Sequence, residues 1–156
     1  MSLVKILAVE DDPIYAESLV LIIRDLGYEL VGVVDNAVAA LQLVEETLPD
    51  LILMDIEIND SISGIELAAR INSTRKIPII FVTAFKDKET FQQAKLTLPK
   101  AYIIKPYEPS SLQSAIELAI FSAPVQNAAV VRPQALGDTF YVKDNNRLVT
   151  FFFIYN

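Results

Sequence analysis

Lys5-Ile6-Leu7-Ala8-Val9-Glu10-Asp11-Asp12-Pro13 decides the fold. A short apolar run meets three consecutive acids, and a proline follows at once. The run reads as a buried strand. Asp12 then serves as helix N-cap and Pro13 as the first helical residue, where its missing N–H costs nothing. Strand, acidic turn and helix form the opening of a β–α unit, and the same texture recurs down the chain.

Apolar runs at Lys5–Val9, Glu29–Val34, Leu51–Met54, Ile79–Val82 and Ala101–Ile104 read as five strands. They are nearly continuous in hydrophobicity, as parallel strands covered on both faces must be. Helical patterns fall after each: Pro13 to near Gly27, after Asn36 to before Pro49, Gly64 to Asn72, Lys86 to Thr97, and Glu108 to Ser122. Right-handed crossovers make such a chain an α/β doubly wound sheet, (βα)5, with the flavodoxin-like order 2-1-3-4-5 expected. A ligand crevice then opens at the C-terminal ends of strands one and three.

Composition narrows the chemistry. The 156 residues are 53% hydrophobic, enough for one well-buried domain with some length to spare. There is no cysteine and no histidine, which excludes disulfides, thiolate catalysis, Cys/His zinc sites and serine-histidine triads. No apolar run reaches the roughly eighteen residues that cross a bilayer, and the N-terminal stretch is too short for a secretory signal, so a cytoplasmic, membrane-free protein is expected. The net charge of −7 argues against nonspecific nucleic-acid binding. Beyond residue 123, Arg132, Lys143 and Arg147 outnumber Asp138 and Asp144, so the acid belongs to the first domain.

Asp11 and Asp12 follow strand one and Asp55 follows strand three, so the expected strand order brings them to one crevice. A pair of like charges 4 Å apart costs about 4 kcal/mol at an effective dielectric of 20, so protons or a cation must compensate. Carboxylates without nitrogen or sulfur ligands suit Mg2+, which retains waters and accepts phosphate oxygens. Capping accounts for Asp12 alone and leaves Asp11 and Asp55 unexplained. Strand four ends at Val82-Thr83-Ala84, and strand five runs into Ile104-Lys105-Pro106. Thr83 also fits as an ordinary strand former and Lys105 as a solvent-reaching lysine. Together at matching strand ends they instead supply a hydroxyl and an ammonium for phosphoryl oxygens. A cis Lys105–Pro106 bond would aim the lysine inward.

Glu10-Asp11-Asp12, Asp55, Thr83-Ala84 and Lys105-Pro106 together resemble the receiver domain of bacterial two-component response regulators, over roughly residues 4–122. The resemblance implies that Asp55 accepts a phosphoryl group from the phosphohistidine of a sensor histidine kinase. It implies that Asp11, Asp12, Asp55 and the carbonyl of Glu57 hold Mg2+, and that Thr83 and Lys105 bind phosphoryl oxygens. Tyr102 falls where the family carries a switch aromatic, whose inward rotation alters the face made by helix four, strand five and helix five, a candidate homodimer surface. The expected activity is a phosphoacceptor switch with at most slow self-catalysed phosphotransfer and dephosphorylation. The loop Glu57-Ile58-Asn59-Asp60-Ser61-Ile62-Ser63-Gly64 departs from the family in its length and in lacking Met-Pro after the acceptor.

Residues 123–138 read as a linker. Beyond it, Thr139–Lys143 and Leu148–Phe151 flank Asp144-Asn145-Asn146 as a hairpin. That stretch, residues 139–156, resembles the opening of a LytTR-type DNA-binding domain. The resemblance stops after Val149, so the DNA-reading surface of such a domain is expected to be missing from this chain. Rival classes are an aspartyl-phosphate phosphatase, a flavin or nucleotide module, and an inactive scaffold. The first would place its second aspartate two residues after the nucleophile, where Glu57 stands. The second would want a phosphate-cradling loop where Glu10-Asp11-Asp12-Pro13 repels phosphate.

Overall fold

In the computed structural model, residues 3–121 are described in full, together with the backbone strands of residues 129–131, 139–144 and 147–152. Five strands, β1 (Lys5–Val9), β2 (Glu29–Val34), β3 (Leu51–Met54), β4 (Ile79–Thr83) and β5 (Ala101–Ile104), alternate with five helices. The helices are α1 (Pro13–Asp25), α2 (Ala37–Thr47), α3 (Gly64–Thr74), α4 (Lys88–Lys95) and α5 (Pro109–Phe121). The strands form one sheet in the order β2-β1-β3-β4-β5, every pair parallel. This is the flavodoxin-like arrangement expected from the sequence. Among the described residues no helix is long and apolar enough to cross a membrane.

Strand alternation sorts the core into two layers. Ile6, Ala8, Leu51, Leu53, Ile80, Val82 and Ile103 pack with Leu19 and Ile23 of α1 and with Leu112 and Ile116 of α5. Leu7, Val9, Ile52, Met54, Phe81, Tyr102 and Ile104 face α2, α3 and α4. All residues of β3 and β4 are buried, which is why both read as unbroken apolar runs.

Local chemistry sets the helix starts. Asp12 caps α1, its Oδ1 accepting from Ile14 N at 2.8 Å and Tyr15 N at 3.4 Å. Ser63 and Glu66 form a reciprocal capping box on α3. Asp87 caps α4 by accepting from Thr90 N at 2.7 Å. That cap starts α4 later than the Lys86–Thr97 span expected from the sequence, and tighter bonds from Leu96 N to Gln93 O and Thr97 N to Ala94 O end it at Lys95.

The long β3–α3 loop is tied at both ends. Asp60 Oδ2 accepts from Ala37 N at the start of α2, and Asn59 N donates to Asp35 O. At its far end Gly64 N donates to Ile56 O at 2.7 Å. A Cβ on Gly64 would sit 1.8 Å from the carbonyl oxygen of Asp55, so only glycine permits this approach.

The C-terminal strands are β6 (Ala129–Val131), β7 (Thr139–Asp144) and β8 (Arg147–Phe152), antiparallel in the order β6-β7-β8. The β7–β8 register runs from Thr139↔Phe152 to Asp144↔Arg147, as a hairpin requires. Strand β6 falls inside the stretch read as a linker: its short apolar run finds a partner in β7, which sequence texture does not reveal. Residues 122–128, 132–138, 145–146 and 153–156 lie outside the described residues, and with them the rest of the linker and the end of the tail.

Gly64→Ala is expected to cost about 2–3 kcal/mol, because backbone must move. Gly32→Ala meets only the tip of Leu43, which can rotate away, and should cost about 1 kcal/mol or less. Urea unfolding midpoints compare the two; equal losses would show that the Gly64 contact has no special role.

Candidate functional site

The register Val9↔Met54 sets the end of β1 beside the end of β3, and β5 pairs with β4 up to Thr83↔Ile104. Glu10, Asp55, Thr83 and Lys105 are therefore delivered to one rim of the sheet, and all four are buried. The Lys105 ammonium lies 2.6 Å from Glu10 Oε2 and 2.7 Å from Asp55 Oδ2. It also sits 4.3 Å from the centre of the Tyr15 ring. The other oxygens are engaged too: Glu10 Oε1 accepts from Asp12 N at 3.0 Å and Asp55 Oδ1 from Glu57 N at 3.2 Å. One ammonium thus serves two buried carboxylates, with the exposed carboxylate of Asp11 beside them.

That imbalance shows in the titration of the group. Burial pushes Glu10 up to about 7, although hydrogen bonds from Lys105 and from the Asp12 backbone pull the other way and the Asp55 charge adds to the rise. Burial alone would lower Lys105, but its hydrogen bonds to Asp55 and Glu10 outweigh that and hold it above the usual lysine range. The lysine stays charged, and the site retains an excess of acid. Carboxylate oxygens of Glu10, Asp11 and Asp55 lie within 4.8 Å of one another, an all-oxygen set suited to a hard divalent cation. The cluster opens into a cleft of about 620 Å3 lined by Asp11, Asp12, Tyr15, Asp55, Glu57 and Lys105 among others.

The acidic triplet divides its labour differently from the sequence expectation. Asp12 was expected among the metal ligands. It lines the cleft, but its Oδ1 is committed to the N-terminus of α1. Glu10 takes the inner position instead. Its N–H donates to Val34 O at 2.8 Å, so it extends β1 by one residue. Strand alternation then places Glu10 in the row of Ile6 and Ala8, Asp55 in the row of Leu51 and Leu53, and Lys105 in the row of Ile103. Period two carried past the strand end was the signal that could have found Glu10.

Thr83 continues the opposite row, after Ile79 and Phe81. It is fully buried, and its hydroxyl accepts from Phe85 N at 3.4 Å. The cleft wall beside Asp55 is Ala84, the next residue. Tyr102 is 2% exposed and points inward, its hydroxyl donating to Phe85 O at 3.0 Å. Its ring meets Phe91 edge-on at 5.2 Å and Phe81 at 6.1 Å. Thr83 and Tyr102 thus meet on the backbone of a single residue, Phe85. The Lys105–Pro106 peptide is cis, as anticipated.

Comparison with known proteins agrees with this geometry. The response regulator receiver domain family matches residues 6–117. The transcriptional regulatory protein PdtaR of Mycobacterium tuberculosis is 35% identical over 116 residues, covering 74% of this chain and 56% of that protein. The phyllosphere-induced regulator PhyR of Methylorubrum extorquens is 31% identical over 118 residues, covering 75% of this chain and 43% of that protein. The chain therefore spans about half the length of these relatives. Among solved structures, the signal receiver domain of a modulated diguanylate cyclase from Desulfovibrio desulfuricans G20 superposes with a TM-score of 0.71 at 39% identity, covering 76% of this chain and 94% of that one. A CheY-like receiver domain protein from Methanospirillum hungatei JF-1 gives 0.69 at 30% identity, covering 74% and 92%. Matched over most of its described length in both sequence and fold, the chain belongs to the response regulator receiver domain family.

Proposed function

We propose that the chain is a phosphorylation switch in which Asp55 takes a phosphoryl group from the phosphohistidine of a sensor histidine kinase. One observation carries this: a buried aspartate oxygen 2.7 Å from a charged lysine, at the mouth of a cleft that also gathers Glu10 and Asp11. An Asp55 oxygen forms the new O–P bond as the P–N bond breaks, and the electron pair returns to the imidazole nitrogen. The product is a mixed anhydride. Each chain accepts one phosphoryl group, and self-catalysed loss of it to water is slow.

Asp11 and Asp55, with Glu10 behind them and the Glu57 carbonyl at the loop, would hold Mg2+, which when bound neutralises charge on the phosphoryl oxygens. Lys105 exchanges its contact with Asp55 Oδ2 for a phosphoryl oxygen. Thr83 leaves Phe85 N to donate to another. Because Tyr102 shares Phe85, that movement reaches the surface of α4, β5 and α5, the candidate homodimer face. Shifting a two-state equilibrium from 1:99 to 99:1 takes about 5.5 kcal/mol, within reach of a few charge-assisted hydrogen bonds.

Residues 4–122 form the receiver, 123–138 connect it onward, and 139–156 correspond to the start of a LytTR-type output. The output is then transcription regulation through a DNA-binding domain of that type. A phosphohistidine donor and a DNA-directed output would both be met in the cytoplasm.

Incubated with acetyl phosphate and Mg2+, the wild-type chain is expected to gain the mass of one phosphoryl group and Asp55→Asn to gain none. An adduct on both would remove Asp55 as acceptor, and steady phosphate release would indicate a phosphatase.

Glu10 supplies a pH test. Its proton is held more tightly in the folded chain, at about 7, than at the ordinary 4.5, so the fold must release it as pH rises. In chelator, wild type should therefore lose about 1–3 kcal/mol relative to Glu10→Gln between pH 5 and pH 8, and Mg2+ should restore it. Denaturant unfolding at each pH reads this. Parallel stability curves for the two chains would contradict the tighter hold on the Glu10 proton in the folded chain.

A further inference from the structure

We propose that Tyr15 is a positioning residue that holds the Lys105 ammonium in reach of the phosphoryl group, an inference that rests on the receiver reading of the site. A lysine ammonium has three donors on a flexible stem. Two point at Glu10 and Asp55, at 2.6 and 2.7 Å. The Tyr15 ring lies 4.3 Å from the same nitrogen, close enough for its face to attract the charge. An aliphatic side chain of similar size would fill the space without that attraction.

The ring is itself held. Asp12, the α1 cap, accepts from Tyr15 N, which fixes the backbone at the first turn. The ring of Tyr107, two residues after the lysine, packs against it at a centroid distance of 5.9 Å. The Tyr107 hydroxyl, protonated at neutral pH even at its ordinary value and lifted by burial up to about 12, adds no competing negative charge. The cleft-side role of Asp12 is therefore indirect: it sets Tyr15, and Tyr15 sets Lys105.

This matters during transfer. As an Asp55 oxygen bonds to phosphorus, it gives up charge to the new mixed anhydride, and Lys105 loses part of the attraction that held it. With acetyl phosphate, the bond from phosphorus to the acyl oxygen breaks and its electron pair leaves with acetate. Tyr15 makes and breaks no bond. It keeps the ammonium beside the developing charge while the lysine changes partners.

The test is the rate of Asp55 labelling by acetyl phosphate at saturating Mg2+, followed by intact mass. Tyr15→Leu is expected to slow labelling about tenfold, while Tyr15→Phe, which keeps the ring face, retains most of the rate. In a Lys105→Met background, Tyr15→Leu should cause no further loss, because the partner is gone. A Leu variant as fast as wild type, a Phe variant as slow as Leu, or a loss that persists without Lys105 would each overturn the positioning role. An unlabelled wild type would instead overturn the receiver reading beneath it. Unfolding midpoints taken alongside identify a misfolded variant, and Tyr15→Met replaces Leu if Leu fails to fold.

Discussion

A single ammonium holds the site together. Lys105, buried at the end of β5, touches Glu10 from β1 and Asp55 from β3. Removing one partner of such a group leaves an uncompensated buried charge, so the three residues constrain one another. They also constrain the sheet. Parallel pairing brings the ends of β1, β3 and β5 to the same rim, and the order β2-β1-β3-β4-β5 sets β1 directly beside β3 there. One lysine cannot balance Glu10, Asp11 and Asp55 together. That residual excess of acid is met in part by the proton that Glu10 holds up to about 7, and it leaves an all-oxygen set suited to a hard divalent cation.

The same rim connects outward through two rows of side chains. Glu10, Asp55 and Lys105 continue the row that faces α1 and α5, where Tyr15 meets the ammonium. Thr83 continues the row that faces α4, and Tyr102 lies beside it. Charge chemistry on one side of the sheet and aromatic packing on the other are thus separated by one residue of strand alternation. The step from Val82 to Thr83 is where they meet. In the proposed switch, a change of hydrogen bonding at Phe85 is the event that both sides share.

Much of this was legible in the chain itself. Parallel central strands are covered on both faces, so Leu51–Met54 and Ile79–Val82 announce themselves as apolar runs. Asp12-Pro13 marks a helix start without help from tertiary structure. The arrival of Asp55 at the rim beside Glu10 followed from its place after the third strand. The division of Glu10-Asp11-Asp12 did not, because three adjacent acids carry no label for which one faces inward; burial and the pairing of Glu10 N with Val34 O decide it. Tyr15 was invisible for a similar reason: its partner lies ninety positions away, and only packing joins them. The requirement for glycine at position 64 is likewise a contact with distant backbone.

In the proposed switch, acids from separate strands build one divalent-cation site beside a lone nucleophilic oxygen. Anomalous diffraction from crystals soaked in Mn2+ as a stand-in for Mg2+ tests it directly. The account requires a single strong peak bonded to the carboxylates of Asp11 and Asp55, in the cleft beside Lys105. A peak elsewhere, or none at that position while Asp55 turns away into the core, would contradict it.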